Sequence, residues 1–157
     1  MRIITVSGTH SGVGKTKMAQ MLLKMLKGWS GLKVTVLHNG LCPTGKECGI
    51  CQSKVQKFAL ISEKNIIEEK DTDTQRIKAS GAQKVLWLKA RPAGLKQGLK
   101  KAITKFKGAK GLIIEGNSIL RYINPDLAIF VKSKDAFLPF KDSARYAFKK
   151  ADLIVTL

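Results

Sequence analysis

The sequence is poor in acidic, arginine and aromatic residues, and these shortages restrict the partners that it can have. Only 11 of its 157 residues are acidic against 29 basic ones, which gives a net charge of +18. All but five of the basic residues are lysine, and aromatic residues make up 6% of the chain. Proteins that read nucleic acids rely on arginine and on aromatic stacking. We therefore expect no nucleic-acid partner and interpret the lysines as solvated surface residues.

The chain also lacks long apolar segments. No run reaches the roughly 18 to 20 apolar residues of a membrane span, and the apolar run that follows Met1 is too short for a secretory signal. We therefore expect a cytoplasmic protein without a membrane partner. Hydrophobic residues still make up 44% of the chain, which is enough for one packed core. The length predicts a single domain over residues 1–157.

Strand-like and helix-like patterns alternate along the chain. Apolar and β-branched runs predict strands over Arg2–Ser7, Leu32–Leu37, Val85–Lys89, Gly111–Glu115, Asp126–Val131 and Asp152–Leu157. Helical spacing predicts helices over Thr16–Lys27, Thr74–Ser80 and Ala144–Lys150, and along the stripe Leu95, Leu99, Ala102, Ile103 and Phe106. The stretch Val55–Glu69 fits short pieces of either kind. The alternation predicts an α/β fold: one three-layer domain in which helices cover both faces of a mostly parallel sheet.

A glycine-rich loop between the first predicted strand and helix carries the strongest functional signal. It reads Ser7-Gly8-Thr9-His10-Ser11-Gly12-Val13-Gly14-Lys15-Thr16. Such a loop exposes backbone N–H groups to phosphates, and the helix N-terminus adds positive potential. Lys15 can reach the β- and γ-phosphates, and the Thr16 hydroxyl can ligate Mg²⁺. We therefore predict a P-loop domain that binds GTP or ATP with Mg²⁺.

The loop departs from the strict phosphate-loop pattern at one position. The pattern G-x-x-x-x-G-K-[ST] requires glycine at position 9, where Thr9 stands, and Gly8 comes one residue early. The flanking strand and helix nevertheless fit, because a phosphate loop follows a strand and opens a helix. The predicted nucleotide-binding residues are Thr9, His10, Ser11, Gly12, Val13, Gly14, Lys15, Thr16 and Lys17.

These residues carry a family resemblance. The segment from Gly8 to Thr16 resembles the phosphate loop of dethiobiotin synthetase and cobyrinic acid a,c-diamide synthase. Lys70–Ala82 and Leu112–Gly116 are similar to a Lys-Asp-Ser/Thr segment and to a strand ending in Glu-Gly in molybdopterin-guanine dinucleotide biosynthesis protein B. The resemblance spans residues 1–38 and 70–131. It implies a GTP- or ATP-hydrolysing accessory factor of molybdenum or related metal cofactor biosynthesis, acting with another protein of that synthesis.

Two other functions remain open at this stage. One is an ATP-dependent ligase or kinase of the dethiobiotin synthetase type, and the other is a metal-handling switch protein with negligible turnover. Substrate-dependent formation of ADP would distinguish the ligase or kinase from the switch. For each of these functions we expect a homodimer.

Two acidic residues are candidates for the metal and the chemistry. Carboxylates at strand ends hold the waters of Mg²⁺ or position the attacking group in nucleotide sites. Glu115 closes an apolar strand and should lie at the carboxyl edge of the sheet. We predict that Lys15, Asp73 and Glu115 are catalytic and that Thr16, Asp73 and Glu115 bind Mg²⁺. Asp71 is the alternative to Asp73 if the register differs by two residues.

The three cysteines lie in one short loop at about residues 38–54. Cys42, Cys48 and Cys51 follow the spacing C-x5-C-x2-C, and His38 precedes Cys42 by four residues. An odd number of cysteines in a cytoplasmic protein argues against a disulfide framework. Three thiolates with His38 would complete a Zn²⁺ site. Three thiolates alone could hold an iron–sulfur cluster or share a metal across a dimer, and reduced thiols without metal are the remaining alternative.

Overall fold

A seven-stranded sheet forms the middle layer of the molecule. The computed structural model describes residues 1–37, 55–134 and 141–157. The strands are β1 (Arg2–Gly8), β2 (Ser30–Val36), β3 (Phe58–Ile61), β4 (Val85–Ala90), β5 (Gly111–Glu115), β6 (Leu127–Lys132) and β7 (Leu153–Thr156). Their order in the sheet is β3-β4-β2-β5-β1-β6-β7. Every neighbouring pair is parallel except β3 and β4, which are antiparallel.

Helices cover both faces of this sheet. They are α1 (Lys15–Met25), α2 (Lys64–Ile67), α3 (Asp73–Ala79), α4 (Pro92–Thr104) and α5 (Asp142–Lys149), with a 3-10 turn at Ser118–Arg121. Apolar side chains of α1, α2 and α3 pack on one face, and those of α4, the 3-10 turn and α5 pack on the other. The prediction of a three-layer α/β domain is confirmed. Within the described ranges, no helix combines the length and apolar character that a membrane crossing requires.

The central strands separate two apolar layers, because successive side chains of a strand point to opposite faces. In β5, Leu112 and Ile114 belong to the layer under α4, whereas Ile113 belongs to the layer under α1. All five residues of β5 are buried. Glu115 follows Ile113 on the α1 face and is the one charged side chain among the buried residues of the described ranges. Its position at the end of a central strand places it beside the site described below.

The structure assigns the stretch that the sequence left ambiguous. Val55–Glu69 contains the antiparallel edge strand β3 and the one-turn helix α2, and the 3-10 turn after β5 was not predicted. Four residues of the predicted stripe are buried, Leu95, Leu99 and Ala102 in α4 and Phe106 just after it, whereas Ile103 is half-buried. The lysines of the same stretch are exposed as expected: Lys96, Lys100, Lys101, Lys105 and Lys107.

Gly94 in α4 leaves room for a backbone carbonyl group. A Cβ atom at position 94 would lie 2.2 Å from the carbonyl oxygen of Lys57. That oxygen is fixed, because it accepts a hydrogen bond from the Arg91 N–H. A main-chain oxygen cannot rotate away as a side chain can. We therefore expect Gly94→Ala to lower the free energy of unfolding, measured in urea, by about 2 kcal/mol.

Gly98 of the same helix provides the matched control. A Cβ atom there would meet side-chain atoms of Leu88 and Phe58 at 2.9 Å, and these side chains can adjust. Alanine also favours a helix over glycine by about 1 kcal/mol, which offsets part of the overpacking. We expect Gly98→Ala to change the free energy of unfolding by less than about 1 kcal/mol. Equal losses of unfolding free energy in Gly94→Ala and Gly98→Ala would contradict the view that the Lys57 carbonyl group requires glycine at position 94.

Candidate functional site

The candidate site lies at the carboxyl ends of the central strands. Strand β1 lies between β5 and β6, and the register pairs Val6 with Glu115 and Gly8 with Val131. The chain then leaves β1 through α1 and enters β2 on the far side of β5. The adjacent strand β5 leads to β6 on the far side of β1. Where two adjacent strands send their connections in opposite directions, a crevice opens at the carboxyl edge of the sheet. The loop from Gly8 to Thr16, called the glycine loop below, lies at this edge.

Glycines give the glycine loop its shape. A Cβ atom at Gly8 would lie 2.8 Å from both the Val131 carbonyl oxygen and the Val13 side chain. Gly12 and Gly14 have φ angles of +82° and +104°, values that side chains with a Cβ atom rarely adopt. Gly8 therefore allows a close approach between the start of the loop and β6, where the strict pattern would place its glycine one residue later, at Thr9.

Asn117 anchors the start of the glycine loop to β5. Its side-chain oxygen accepts a hydrogen bond of 2.9 Å from the Gly8 N–H, and its amide nitrogen donates one of 2.8 Å to the Gly8 carbonyl oxygen. The N–H of Gly116 also donates to the Val6 carbonyl oxygen at 3.0 Å. These bonds fix the loop relative to Glu115, which directly precedes Gly116.

Among the residues that the structure describes, no side chain caps the N-terminus of α1. Its N-cap residue is Gly14, and the first turn contains no acidic residue. The nearby helix α3 differs, because the Thr72 side chain accepts a hydrogen bond from the Gln75 N–H and Asp73 lies in the first turn. The first N–H groups of a helix need acceptors from outside the helix. The end of α1 is therefore suited to bind an anion, as phosphate loops do.

Four polar side chains converge next to this helix end. The Thr16 hydroxyl lies 3.0 Å from Asp73 Oδ1 and 3.0 Å from Glu115 Oε2. The Lys33 ammonium group lies 2.6 Å from Asp73 Oδ2 and 2.5 Å from Glu115 Oε1. Each carboxylate thus directs one oxygen to Thr16 and the other to Lys33. The structure brings together the three predicted Mg²⁺ ligands and adds a lysine that the sequence analysis did not consider.

The charges of this cluster stabilise one another. Burial alone would lower the pKa of the Lys33 ammonium group, but the carboxylates of Glu115 and Asp73 outweigh it and raise that pKa above its ordinary value. Burial would likewise raise the pKa of Asp73, but Lys33 and the Thr16 hydroxyl together hold it below its ordinary value. At neutral pH, Lys33 is therefore a cation and Asp73 an anion.

Lys15 extends into the cavity that the cluster lines. Its ammonium group donates a hydrogen bond of 2.6 Å to the His10 carbonyl oxygen. Burial lowers the pKa of this group below its ordinary value, although the Glu115 carboxylate opposes the shift. A bound polyphosphate would place negative charge beside the Lys15 ammonium group. Its oxygens would compete with the His10 carbonyl oxygen for the hydrogen bonds that this group donates.

The cavity has a volume of about 620 Å³, within the range of small-molecule sites. Its lining comprises Ser11, Gly12, Gly14, Lys15, Thr16, Lys17, Gln20, Lys33, Asp73, Arg76 and Glu115. Most of the predicted nucleotide-binding residues and all the predicted catalytic residues therefore face one space. Cations of the glycine loop, β2 and α3 surround the two carboxylates, so the cavity is suited to a strongly anionic ligand.

Three predicted nucleotide-binding residues lie outside this lining. Thr9 and Val13 are buried, at 4% and 6% exposure, so that only their backbone groups are available to a ligand. The hydroxyl of Thr9 has no hydrogen-bond partner among the described residues. His10 is exposed, and its Nδ1 lies 2.7 Å from the Ser11 carbonyl oxygen. The alternative acid Asp71 is exposed and does not line the cavity.

The predicted cysteine site falls in a part of the chain that the structure does not describe. His38, Cys42, Cys48 and Cys51 lie in residues 38–54, outside the described ranges. The Zn²⁺ or iron–sulfur hypothesis therefore stays a prediction.

Lys33, Asn117, Gln20 and Arg76 are the site residues that sequence reasoning missed. Lys33 carried a signal, because it is the single charged residue in the apolar run Leu32–Leu37. A charge inside a central strand requires a partner.

Comparison of the chain with protein-family models, with curated proteins and with solved structures gives no match. The proposal below therefore rests on the residues of the site.

Proposed function

We propose that this protein binds a nucleoside triphosphate with Mg²⁺ and hydrolyses it or transfers its terminal phosphoryl group. One observation carries the proposal: Thr16 meets Asp73 and Glu115 at 3.0 Å at an uncapped helix end that follows a glycine loop. A hydroxyl and carboxylates beside such a helix end are the protein groups that phosphoryl-transfer sites use for Mg²⁺.

The donor set fits Mg²⁺ better than a metal enclosed by protein ligands. Mg²⁺ keeps several waters and takes one or two carboxylates together with substrate phosphates. In the part of the chain that the structure describes, no three His, Cys, Asp or Glu side chains converge. Thr16, Asp73 and Glu115 would hold the ion directly or through its waters. When bound, the ion would neutralise charge on the β- and γ-phosphates.

The remaining chemistry belongs to the chain itself. The N–H groups of the glycine loop and of the α1 N-terminus donate to the phosphate oxygens, and Lys15 adds a positive charge where negative charge develops in the transition state. Lys15 must exchange its bond to the His10 carbonyl oxygen for a phosphate contact. Asp73 and Glu115 order the water or acceptor hydroxyl that attacks the terminal phosphorus.

We propose further that this turnover serves molybdenum or related metal cofactor biosynthesis in the cytoplasm. The protein would act there as a homodimer and would use GTP or ATP as its nucleotide. The support is that two segments similar to molybdopterin-guanine dinucleotide biosynthesis protein B meet at one point. Lys70–Ala82 contributes Asp73 and Leu112–Gly116 contributes Glu115, and both carboxylates reach the Thr16 hydroxyl.

An ATP-dependent ligase or kinase is the second candidate, and one observation favours it. Lys17 and Arg76 line the same cavity as Lys15, and both are exposed. They are available to an anionic acceptor next to the triphosphate. Formation of ADP that depends on such an acceptor would favour this function, whereas acceptor-independent release of phosphate would favour the hydrolase.

The test of the proposed function is calorimetric titration with ATP and with GTP, each with and without Mg²⁺. We expect Mg²⁺ to tighten nucleotide binding by at least about tenfold in the natural sequence, and we expect Thr16→Ala to abolish this difference. Thr104→Ala is the control, because among the described residues the Thr104 hydroxyl bonds within its own helix, to the Lys101 carbonyl oxygen. The proposal would be refuted if neither ATP nor GTP bound, or if Mg²⁺ tightened nucleotide binding equally in Thr16→Ala and in the natural sequence.

A further inference from the structure

A cation already occupies the two carboxylates of the candidate Mg²⁺ site. The Lys33 ammonium group contacts Glu115 Oε1 at 2.5 Å and Asp73 Oδ2 at 2.6 Å. The opposite oxygens, Glu115 Oε2 and Asp73 Oδ1, face the Thr16 hydroxyl. A hydroxyl has one hydrogen atom to donate, so Thr16 satisfies one of these oxygens at a time. The other carboxylate oxygen on the Thr16 side can accept another donor, and Arg76 Nη1 lies 3.9 Å from one of the two, Asp73 Oδ1.

Lys33 is held in this position by the sheet. It pairs with Glu115 across β2 and β5, and with Trp87 across β2 and β4, so its side chain leaves the sheet on the same face as Glu115. Only 16% of the side chain is exposed. Unlike a surface lysine, it contacts two carboxylates at once and exposes little of its side chain to water. Its charge is therefore a permanent part of the site.

This fixed charge alters what the site can bind. Two carboxylates alone would present two negative charges to a divalent cation, and Lys33 offsets one of them. Lys15 lines the same cavity and Arg76 Nη1 lies 3.9 Å from Asp73 Oδ1, so the charge that attracts a cation is lower still. A divalent cation that approaches Thr16 also meets the repulsion of Lys33, whose ammonium group touches both carboxylates and acts over a distance shorter than the screening length of salt. A triphosphate brings several negative charges of its own to the same cavity. These charges outweigh the repulsion between Lys33 and the divalent cation.

We infer that Lys33 is a positioning residue that holds Asp73 and Glu115 together and prevents a divalent cation from binding until a triphosphate brings it. This inference rests on the proposed function, because the triphosphate is the ligand proposed there. Lys33 thereby couples metal binding to nucleotide binding. It also keeps the oxygens Asp73 Oδ1 and Glu115 Oε2 directed at Thr16, where the waters of the ion would bind.

The test measures Mn²⁺ binding by electron paramagnetic resonance without nucleotide, at pH 8, about four units above the ordinary pKa of a carboxyl group. We expect weak binding to the natural sequence and at least about tenfold tighter binding to Lys33→Met, which removes the charge. Lys33→Arg keeps the charge and should stay within about threefold of the natural sequence. Where thermal unfolding shows that Lys33→Met is not folded, Lys33→Gln replaces it.

Lys89→Met is the matched control, because Lys89 lies on the neighbouring strand β4 and stacks on the Trp87 ring at 4.0 Å. It should bind Mn²⁺ as the natural sequence does. The inference would be overturned if Lys33→Met and the natural sequence bound Mn²⁺ with equal affinity. It would also be overturned if the natural sequence bound Mn²⁺ tightly in the absence of nucleotide. A further outcome separates the two proposals. If Lys33→Met bound Mn²⁺ more tightly but the natural sequence bound neither ATP nor GTP, Lys33 would still oppose metal binding, and the nucleotide function would be refuted.

Discussion

Replacing Lys15 with alanine should lower the affinity for ATP and GTP by at least about a hundredfold, because hydrogen bonds to a charged group contribute roughly 1.5–3 kcal/mol each and Lys15 is placed to make more than one with phosphates. The fold should persist. Among the described contacts, the Lys15 ammonium group donates to the His10 carbonyl oxygen of its own loop. Calorimetric titration measures the affinity, and urea unfolding should show a loss of less than about 1 kcal/mol.

A chain with a net charge of +18 can attract any polyanion without a specific site, so this prediction needs a charge-matched control. Lys24→Ala removes the same charge from the last turn of α1, at the opposite end of the helix from the glycine loop. It should leave nucleotide affinity within about twofold, since exposed charges are screened by salt. Equal affinities of Lys15→Ala and Lys24→Ala would show that the glycine loop is not the phosphate site.

The centre of the fold could be predicted because burial on both faces leaves a clear record in the sequence. Strand β5 has the predicted bounds, Gly111–Glu115, and its residues are apolar up to the final glutamate. Strand β3 could not be predicted from four residues, Phe58–Ile61, that are all half-buried at a sheet edge. Periodicity does not separate such a short apolar run from a turn of helix, and its antiparallel pairing with β4 is a tertiary property.

The candidate site was predictable where its residues lie at a boundary between strand and helix. Lys15 and Thr16 open α1, and Glu115 closes β5, so local pattern alone places them at one edge of the sheet. The role of Lys33 depends instead on partners 40 and 82 residues away. Its contact with Glu115 follows from the pairing of β2 with β5, which no local spacing records. Thr9 shows the converse, because the local pattern requires glycine at a position that the structure fills with a buried threonine.

Replacing Glu115 with glutamine should lower turnover of the Mg²⁺-nucleotide complex by at least about tenfold. Glutamine keeps the shape and one acceptor oxygen but removes the charge that faces both Lys33 and Thr16. The variant should still bind ATP or GTP within about threefold, because the glycine loop and Lys15 are untouched. Glu115 is only 2% exposed, so loss of its ion pair should also lower the free energy of unfolding, by about 3 kcal/mol.

The two effects of Glu115→Gln are separable when turnover is measured well below the melting temperature, with single-turnover release of phosphate from prebound nucleotide. Asp126→Asn is the control, because it removes one carboxylate charge near the amino end of β6, where Asp126 Oδ2 accepts a hydrogen bond from the Ile3 N–H. Asparagine retains an acceptor for that bond, so turnover should not change. Equal single-turnover rates for Glu115→Gln and the natural sequence would show that Glu115 only stabilises the fold, and that Asp73 alone directs the attacking group.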